Sequence, residues 1–239
     1  MQTRLYNALT CGHVRSQDAN ATLARAGKIL QDRVDGCLGA YRSIRVEERI
    51  RKVVIEVEKF GREHDANESD HARRMLNLDP DTAALISILA RGFQARSVLE
   101  VGTSNGYSTL WLAWAVRSIG GRVTTIDRSA EKQAMARENL SRAGLVDLVD
   151  FQNGDATQIV SWLSGPYDLV LFDADRLSAP RQLEYLLPKL MARALVLADN
   201  VLSHPGEIAG YLAAVQRLTD FTHVVVPVGK GLSLAFRGA

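Results

Sequence analysis

The chain has 239 residues, enough for one α/β domain with an added helical segment and too few for two full domains by default. Hydrophobic residues make up 46% and charged residues 23%, which excludes a disordered chain, and a net charge of +2 from 29 basic and 27 acidic residues gives no broad field for nucleic acid or anionic lipid. A small-molecule substrate, with no nucleic-acid or membrane partner, is the expectation.

In chain order, Met1 to Gly12 carries no continuous apolar core and no small-residue cleavage site, so a cytoplasmic location is expected. Cys11 and Cys37 lack C-x-x-C spacing and read as a reduced pair. A weak helical pattern runs over Ala21 to Leu38. From Ile44 the pattern sharpens. Ile50, Val53, Val54, Val57 and Phe60 share one helical face, and Arg51, Lys52, Glu56 and Arg62 share the other. Gly61 and the polar run Glu63 to Asp70 are expected to end this helix. Its apolar face could meet a partner in a homodimer or cover its own subunit. Residues 1–74 are therefore expected to form a helical arm and 75–239 the main domain.

The next helix has a clear start, with Asp79 as cap and Pro80 at the first helical position. Strand and helix then alternate: Ser97 to Val101 with a helix from Tyr107, Arg122 to Ile126 with a helix from Ala130, and Val149 to Gln152 with a helix from Ala156. Asp168 to Phe172 with a helix from Arg181, and Ala194 to Ala198 with a helix from Gly206, continue the series. Such alternation implies parallel strands joined by helical crossovers. His223 to Val228 and Leu232 to Phe236 are separated only by Gly229 to Gly231, a spacing suited to an antiparallel hairpin. The apolar runs in these strands and helices are far shorter than the roughly 20 residues that span a bilayer.

In Glu100 to Gly106 a strand meets its helix, and Gly102 and Gly106 allow a tight turn and close approach of a ligand. Alone this is an ordinary βα turn, and it departs from G-x-G-x-x-G because Ser104 and Tyr107 stand at two key positions. Asp127, at the end of TTID, can accept from both hydroxyls of a ribose or cap the following helix. Asp155 can cap its helix, with Gln158 in capping-box spacing, or approach an adenine ring.

VLEVGTSNGYST, TTIDRSAE, ENLSRAGL, NGDA, YDLVLFDAD, LVLADNVL and PVGKGLSLAF resemble, in order, the motifs of the cation-dependent O-methyltransferases that include catechol and caffeoyl-coenzyme A methyltransferases. The resemblance covers roughly Met75 to the C-terminus. It implies a Rossmann-like α/β fold with a mostly parallel seven-stranded sheet, a C-terminal antiparallel hairpin and helices on both faces. It implies S-adenosylmethionine as cofactor, contacted by Asn77, Asp81, Glu100, Gly102, Thr103, Ser108, Asp127, Ala156 and Asp173. It also implies Mg²⁺ or a similar cation on Asp173, Asp199 and Asn200. Two carboxylates and an amide oxygen suit Mg²⁺ better than zinc, although strand-end Asp and Asn residues also serve as plain caps.

The chain departs from this resemblance at Arg176, where relatives carry a lysine that acts as a base or positions the acceptor. Arginine stays protonated, so it orients or stabilises an oxyanion rather than taking a proton. The proton then leaves by metal acidification with release to water, or through His204, unless His204 is only a surface residue at a helix start. Arg176 and His204 are the catalytic candidates. Asp175 could be a supporting carboxylate or a solvated neighbour, and His71 and Met75 could line an acceptor pocket. The expected activity is methyl transfer to a hydroxyl of a small catechol-like acceptor. The alternatives are an NAD-dependent oxidoreductase and a nucleoside-binding regulatory protein without catalysis.

Overall fold

The structure is a computed structural model that describes residues 47–238. The expectations for Cys11, Cys37, Ala21 to Leu38 and the start at Ile44 lie outside the described residues.

Helices α1 (Glu48–Asn67) and α2 (Pro80–Phe93) precede the sheet. The alternating part comprises β1 (Ser97–Val101), α3 (Tyr107–Arg117), β2 (Arg122–Asp127), α4 (Ala130–Ala143), β3 (Val149–Asn153) and α5 (Ala156–Trp162). It continues through β4 (Tyr167–Phe172), α6 (Ala179–Leu186), β5 (Leu190–Ala198) and α7 (Pro205–Gln216), and closes with β6 (Phe221–Val226) and β7 (Leu232–Arg237). The seven strands form one sheet in the order β3-β2-β1-β4-β5-β7-β6. The first five are parallel, and β7 runs antiparallel between β5 and β6. The expected Rossmann-like sheet with its C-terminal hairpin is therefore present.

Two groups of helices cover the sheet. Helix α3 packs on α1, α2 and α4, while α6 packs on α5 and α7. The second group closes an apolar core that includes Leu99, Val101, Ile126, Val170, Phe172, Leu183, Val196 and Tyr211. β4 is buried at every position, as expected for a central strand with helices on both faces.

The expectations for α1 need two corrections. The helix runs past Gly61 to Asn67, and Gly61 is buried within it. A Cβ at Gly61 would come within 2.3 Å of Asn77 Nδ2, so the glycine admits a crossing loop rather than stopping the helix. Phe60 is 44% exposed, and the buried stripe is Ile50, Val53, Val54, Val57 and Gly61. That stripe packs on α3 and α4 of the same chain. Arg49 fastens the contact by donating to the carbonyls of Arg142 (2.6 Å) and Ser141 (3.2 Å), which end α4.

α2 begins as the sequence implied: the Asp79 carboxylate accepts the Asp81 N–H and Pro80 opens the helix. No helix among the described residues is long and apolar enough to cross a membrane.

Candidate active site

Parallel register brings distant residues to one edge of the sheet. Val101 aligns with Ile126 and Phe172, and Phe172 with Ala198, so the next residues, Gly102, Asp127, Asp173 and Asp199, emerge side by side. Strand order reverses between β1 and β4, and open α/β sheets form their ligand crevice at such a switch point. The crossing is tight. Gly102 has φ +110, and a Cβ there would lie 2.2 Å from the Asp173 carbonyl oxygen. Gly106 has φ +85, and a Cβ there would lie 2.9 Å from Ala136 Cβ of α4. Both glycines thus bring protein neighbours together, beyond merely leaving space for a ligand.

Asp127 organises the loop between them. Its Oδ2 accepts the N–H groups of Thr103 (3.1 Å) and Ser104 (2.8 Å), and its Oδ1 accepts that of Ser129 (2.8 Å). Ser129, rather than Asp127, caps α4 through the Lys132 N–H. Asp155 caps α5 by accepting the Gln158 N–H at 2.8 Å, which fulfils the capping reading of NGDA. Ala156 is the first residue of α5.

Glu100 is fully buried. Thr109 of α3 and Thr125 of β2 donate to its Oε2 at 2.5 and 2.6 Å, while Oε1 is enclosed without a partner. Burial pushes this carboxyl up to about 7, and the Ser108, Thr109 and Thr125 hydroxyls oppose that shift. Thr103 joins the same group, its hydroxyl 2.7 Å from that of Thr125. Thr109 and Thr125 were not singled out from the sequence, because threonine in a strand or helix has no site signature of its own.

Asn77 and Asp81 sit differently. Asn77 donates to the Val57 carbonyl at 3.2 Å and packs against Gly61, with its Oδ1 buried and unpartnered. Asp81 is exposed in the first turn of α2. His71 is exposed, and Met75 is buried with its carbonyl accepting from Ser104 Oγ at 2.7 Å.

Asp173, Asp199, Asn200 and Arg176 line one pocket with Asp175, Ala179, Gln182 and Ile208. Asn200, held at φ +64, donates from Nδ2 to Asp173 Oδ1 over 3.4 Å. Asp199 is 5% exposed, and its Oδ1 has no hydrogen-bond partner. Burial raises both carboxyls above the ordinary range; for Asp173 the Asp199 and Glu100 charges add to it. Arg176 donates from Nε to Glu207 Oε2 at 2.9 Å, which fixes the guanidinium at the pocket wall. Asp175 is held below the usual range, first by the Ser178 hydroxyl, and it turns the loop by accepting from Leu177 and Ser178. His204 lies outside this pocket lining, exposed at the start of α7, with Nδ1 2.8 Å from Ser203 Oγ. Among the described residues no three His, Cys, Asp or Glu side chains form a metal-binding group, so the acidic set is two carboxylates and an amide.

Known proteins are similar to this chain in sequence and in fold. A catechol O-methyltransferase of Mycobacterium tuberculosis is 38% identical over 127 residues, covering 52% of this chain and 56% of that protein. One of Niastella koreensis is 33% identical over 131 residues, covering 53% of this chain and 59% of its own length. The chain thus matches little more than half the length of these relatives. The structure of the O-methyltransferase TomG of Streptomyces achromogenes, involved in tomaymycin synthesis and in complex with SAM, superposes with a TM-score of 0.67 at 27% identity, covering 82% of this chain and 92% of that one. The sequence model of the O-methyltransferase family matches residues 62–237, from α1 through the last strand, and the chain belongs to that family.

Proposed function

We propose that the chain transfers a methyl group from S-adenosylmethionine to a hydroxyl of a small, catechol-like aromatic acceptor, assisted by Mg²⁺ or a similar divalent cation. The observation that carries this reading is the alignment of Gly102, Asp127, Asp173 and Asp199 on one sheet edge within an O-methyltransferase family member. The donor molecule supplies an electrophilic methyl carbon, and the cation supplies charge that orients adjacent hydroxyls and lowers the pKa of the attacking one.

The residues fit both. In this reading Asp127 accepts the ribose hydroxyls while holding the loop N–H groups, and Ala156 borders the base at the start of α5. Gly102, Thr103, Ser108 and Glu100 shape the floor, and Asn77 and Asp81 belong to the approach from the α1 and α2 side. Asp173, Asp199 and Asn200 hold the cation. The unpartnered Asp199 Oδ1 and the crowding of a buried and a half-buried carboxyl describe a place where a hard cation removes an electrostatic penalty. Asp173 faces both halves of the site. Arg176 orients the acceptor or its oxyanion and does not take the proton. The proton goes to water, with His204 as the alternative acceptor. Residues 1–74 act as an arm and 75–239 as the catalytic domain.

Titration with S-adenosylmethionine and with NAD tests the donor half. The expected outcome is binding of S-adenosylmethionine at micromolar-range affinity and none of NAD; absence of the former overturns the reading, and preference for NAD supports an oxidoreductase.

A further inference from the structure

Two neighbouring carbonyls of the α1–α2 connection reach the cofactor loop by separate routes that end on the two oxygens of one carboxylate. The Met75 carbonyl accepts the Ser104 hydroxyl at 2.7 Å, and the Ser104 N–H donates to Asp127 Oδ2 at 2.8 Å. The Arg74 carbonyl accepts Lys132 Nζ at 2.5 Å, the Lys132 N–H donates to Ser129 Oγ at 3.2 Å, and the Ser129 N–H donates to Asp127 Oδ1 at 2.8 Å. The first route passes between two non-glycine residues in the left-handed region, Leu76 at φ +53 and Ser104 at φ +45. Such conformations persist only where the surroundings fix them, and they cluster at binding sites.

Asp65, in the last turn of α1, fixes the Leu76 side. Its Oδ1 accepts the Met75 N–H at 2.6 Å and its Oδ2 accepts the Leu76 N–H at 2.8 Å, so one carboxylate spans the strained turn. Burial pushes this carboxyl up, but the two N–H groups and His64, whose Nδ1 lies 3.3 Å from Oδ1, together hold it below the ordinary range. It is therefore charged at neutral pH, and both of its bonds to the turn are charge-assisted.

We propose that Asp65 is a positioning residue for the methyl donor: by pinning Met75 and Leu76 it keeps the Met75 carbonyl on Ser104, and Ser104 keeps the Asp127 carboxylate in the direction that meets the ribose hydroxyls. This rests on the donor half of the reading above. A carboxylate offers about four acceptor positions, and the Thr103, Ser104 and Ser129 N–H groups already draw on those of Asp127. Little capacity is left for the ribose, so a small rotation of Asp127 costs affinity. The α1–α2 connection thus serves the donor, and its Met75 carbonyl acts from beneath the loop.

Calorimetric titration with S-adenosylhomocysteine, the demethylated donor, tests this without an acceptor. The proteins compared are the wild type, Asp65→Asn, Ser104→Ala and the double variant. Asp70→Asn is the control, because the Asp70 side chain accepts the Ala72 N–H of the same connection, off both routes. The expected result is binding about tenfold weaker in Asp65→Asn and in Ser104→Ala. Because both changes break one route, the double variant should lose no more than about twentyfold, and Asp70→Asn less than about twofold. Omitting the 2′-hydroxyl of the ligand should cost the wild type about tenfold and Asp65→Asn about twofold, which loosening of the connection in general would not produce. Unchanged affinity in Asp65→Asn or Ser104→Ala, multiplicative losses in the double variant, an equal loss in Asp70→Asn, or an equal 2′-deoxy penalty in wild type and Asp65→Asn overturns the role of Asp65 alone. A wild type that does not bind S-adenosylhomocysteine overturns the donor reading and the Asp65 role with it.

Discussion

Replacing Gly102 by alanine perturbs the point where the cofactor loop crosses the acidic strand. The new Cβ would lie 2.2 Å from the Asp173 carbonyl oxygen and 2.8 Å from its carbon, at φ +110. The backbone conformation alone disfavours an L side chain by about 1–2 kcal/mol, and overpacking against a central strand adds about 1–3 kcal/mol. A loss of roughly 2–5 kcal/mol follows unless the loop shifts. A shift has its own consequence, since it pulls the Thr103 and Ser104 N–H groups away from Asp127. Each 1.4 kcal/mol of misplacement is about tenfold in affinity. Urea unfolding gives the first quantity and calorimetric titration with S-adenosylmethionine the second. Two glycines serve as controls. Gly120 has φ +68 with nothing within 4 Å, so Gly120→Ala carries strain only, and Gly206, also with open space, carries neither. If Gly102→Ala loses no more stability than Gly120→Ala and binds the donor normally, the crossing does not govern the site.

Two further outcomes are expected. Glu100 sits near 7 in the folded state against 4.5 in its ordinary setting. The folded protein therefore binds the extra proton between those values, and stability falls as pH rises from about 4.5 to 7. Glu100→Gln should remove that slope and gain on the order of 3 kcal/mol at pH 8 relative to pH 5 in urea unfolding; parallel profiles would contradict it. His204→Ala tests the alternative proton route. With His204 exposed and bonded to Ser203 outside the pocket lining, turnover is expected to change less than about threefold, and a loss near the 10²-fold of a general base would make His204 the proton acceptor.

Much of the fold was legible because alternation of apolar strands and capped helices is a local signal. The expected strand Ser97 to Val101 has the observed bounds, and Asp79 and Asp155 cap as their spacing implied. β5 starts earlier than Ala194, at Leu190, because Arg193 interrupts its apolar run while the backbone still pairs with β4. The end of α1 was misread because a glycine inside a helix looks like a stop until the loop bearing Asn77 is seen to need the space. The acidic residues of the site were visible as strand-end carboxylates, since parallel register converts strand ends into neighbours. The clamp on Glu100 by Thr109 and Thr125 was not, because it joins residues from different elements with no motif between them.

The central claim, methyl transfer at a cation held by Asp173, Asp199 and Asn200, is tested most directly by labelled methyl transfer from S-adenosylmethionine to a catechol. The measurement uses the wild type with Mg²⁺, the wild type after chelation, and Asp199→Ala with Mg²⁺. The account predicts one labelled methyl group per acceptor in the first case and loss of at least about 10²-fold in the other two, with donor binding retained by Asp199→Ala. Undiminished transfer after chelation, or full activity in Asp199→Ala, would contradict it.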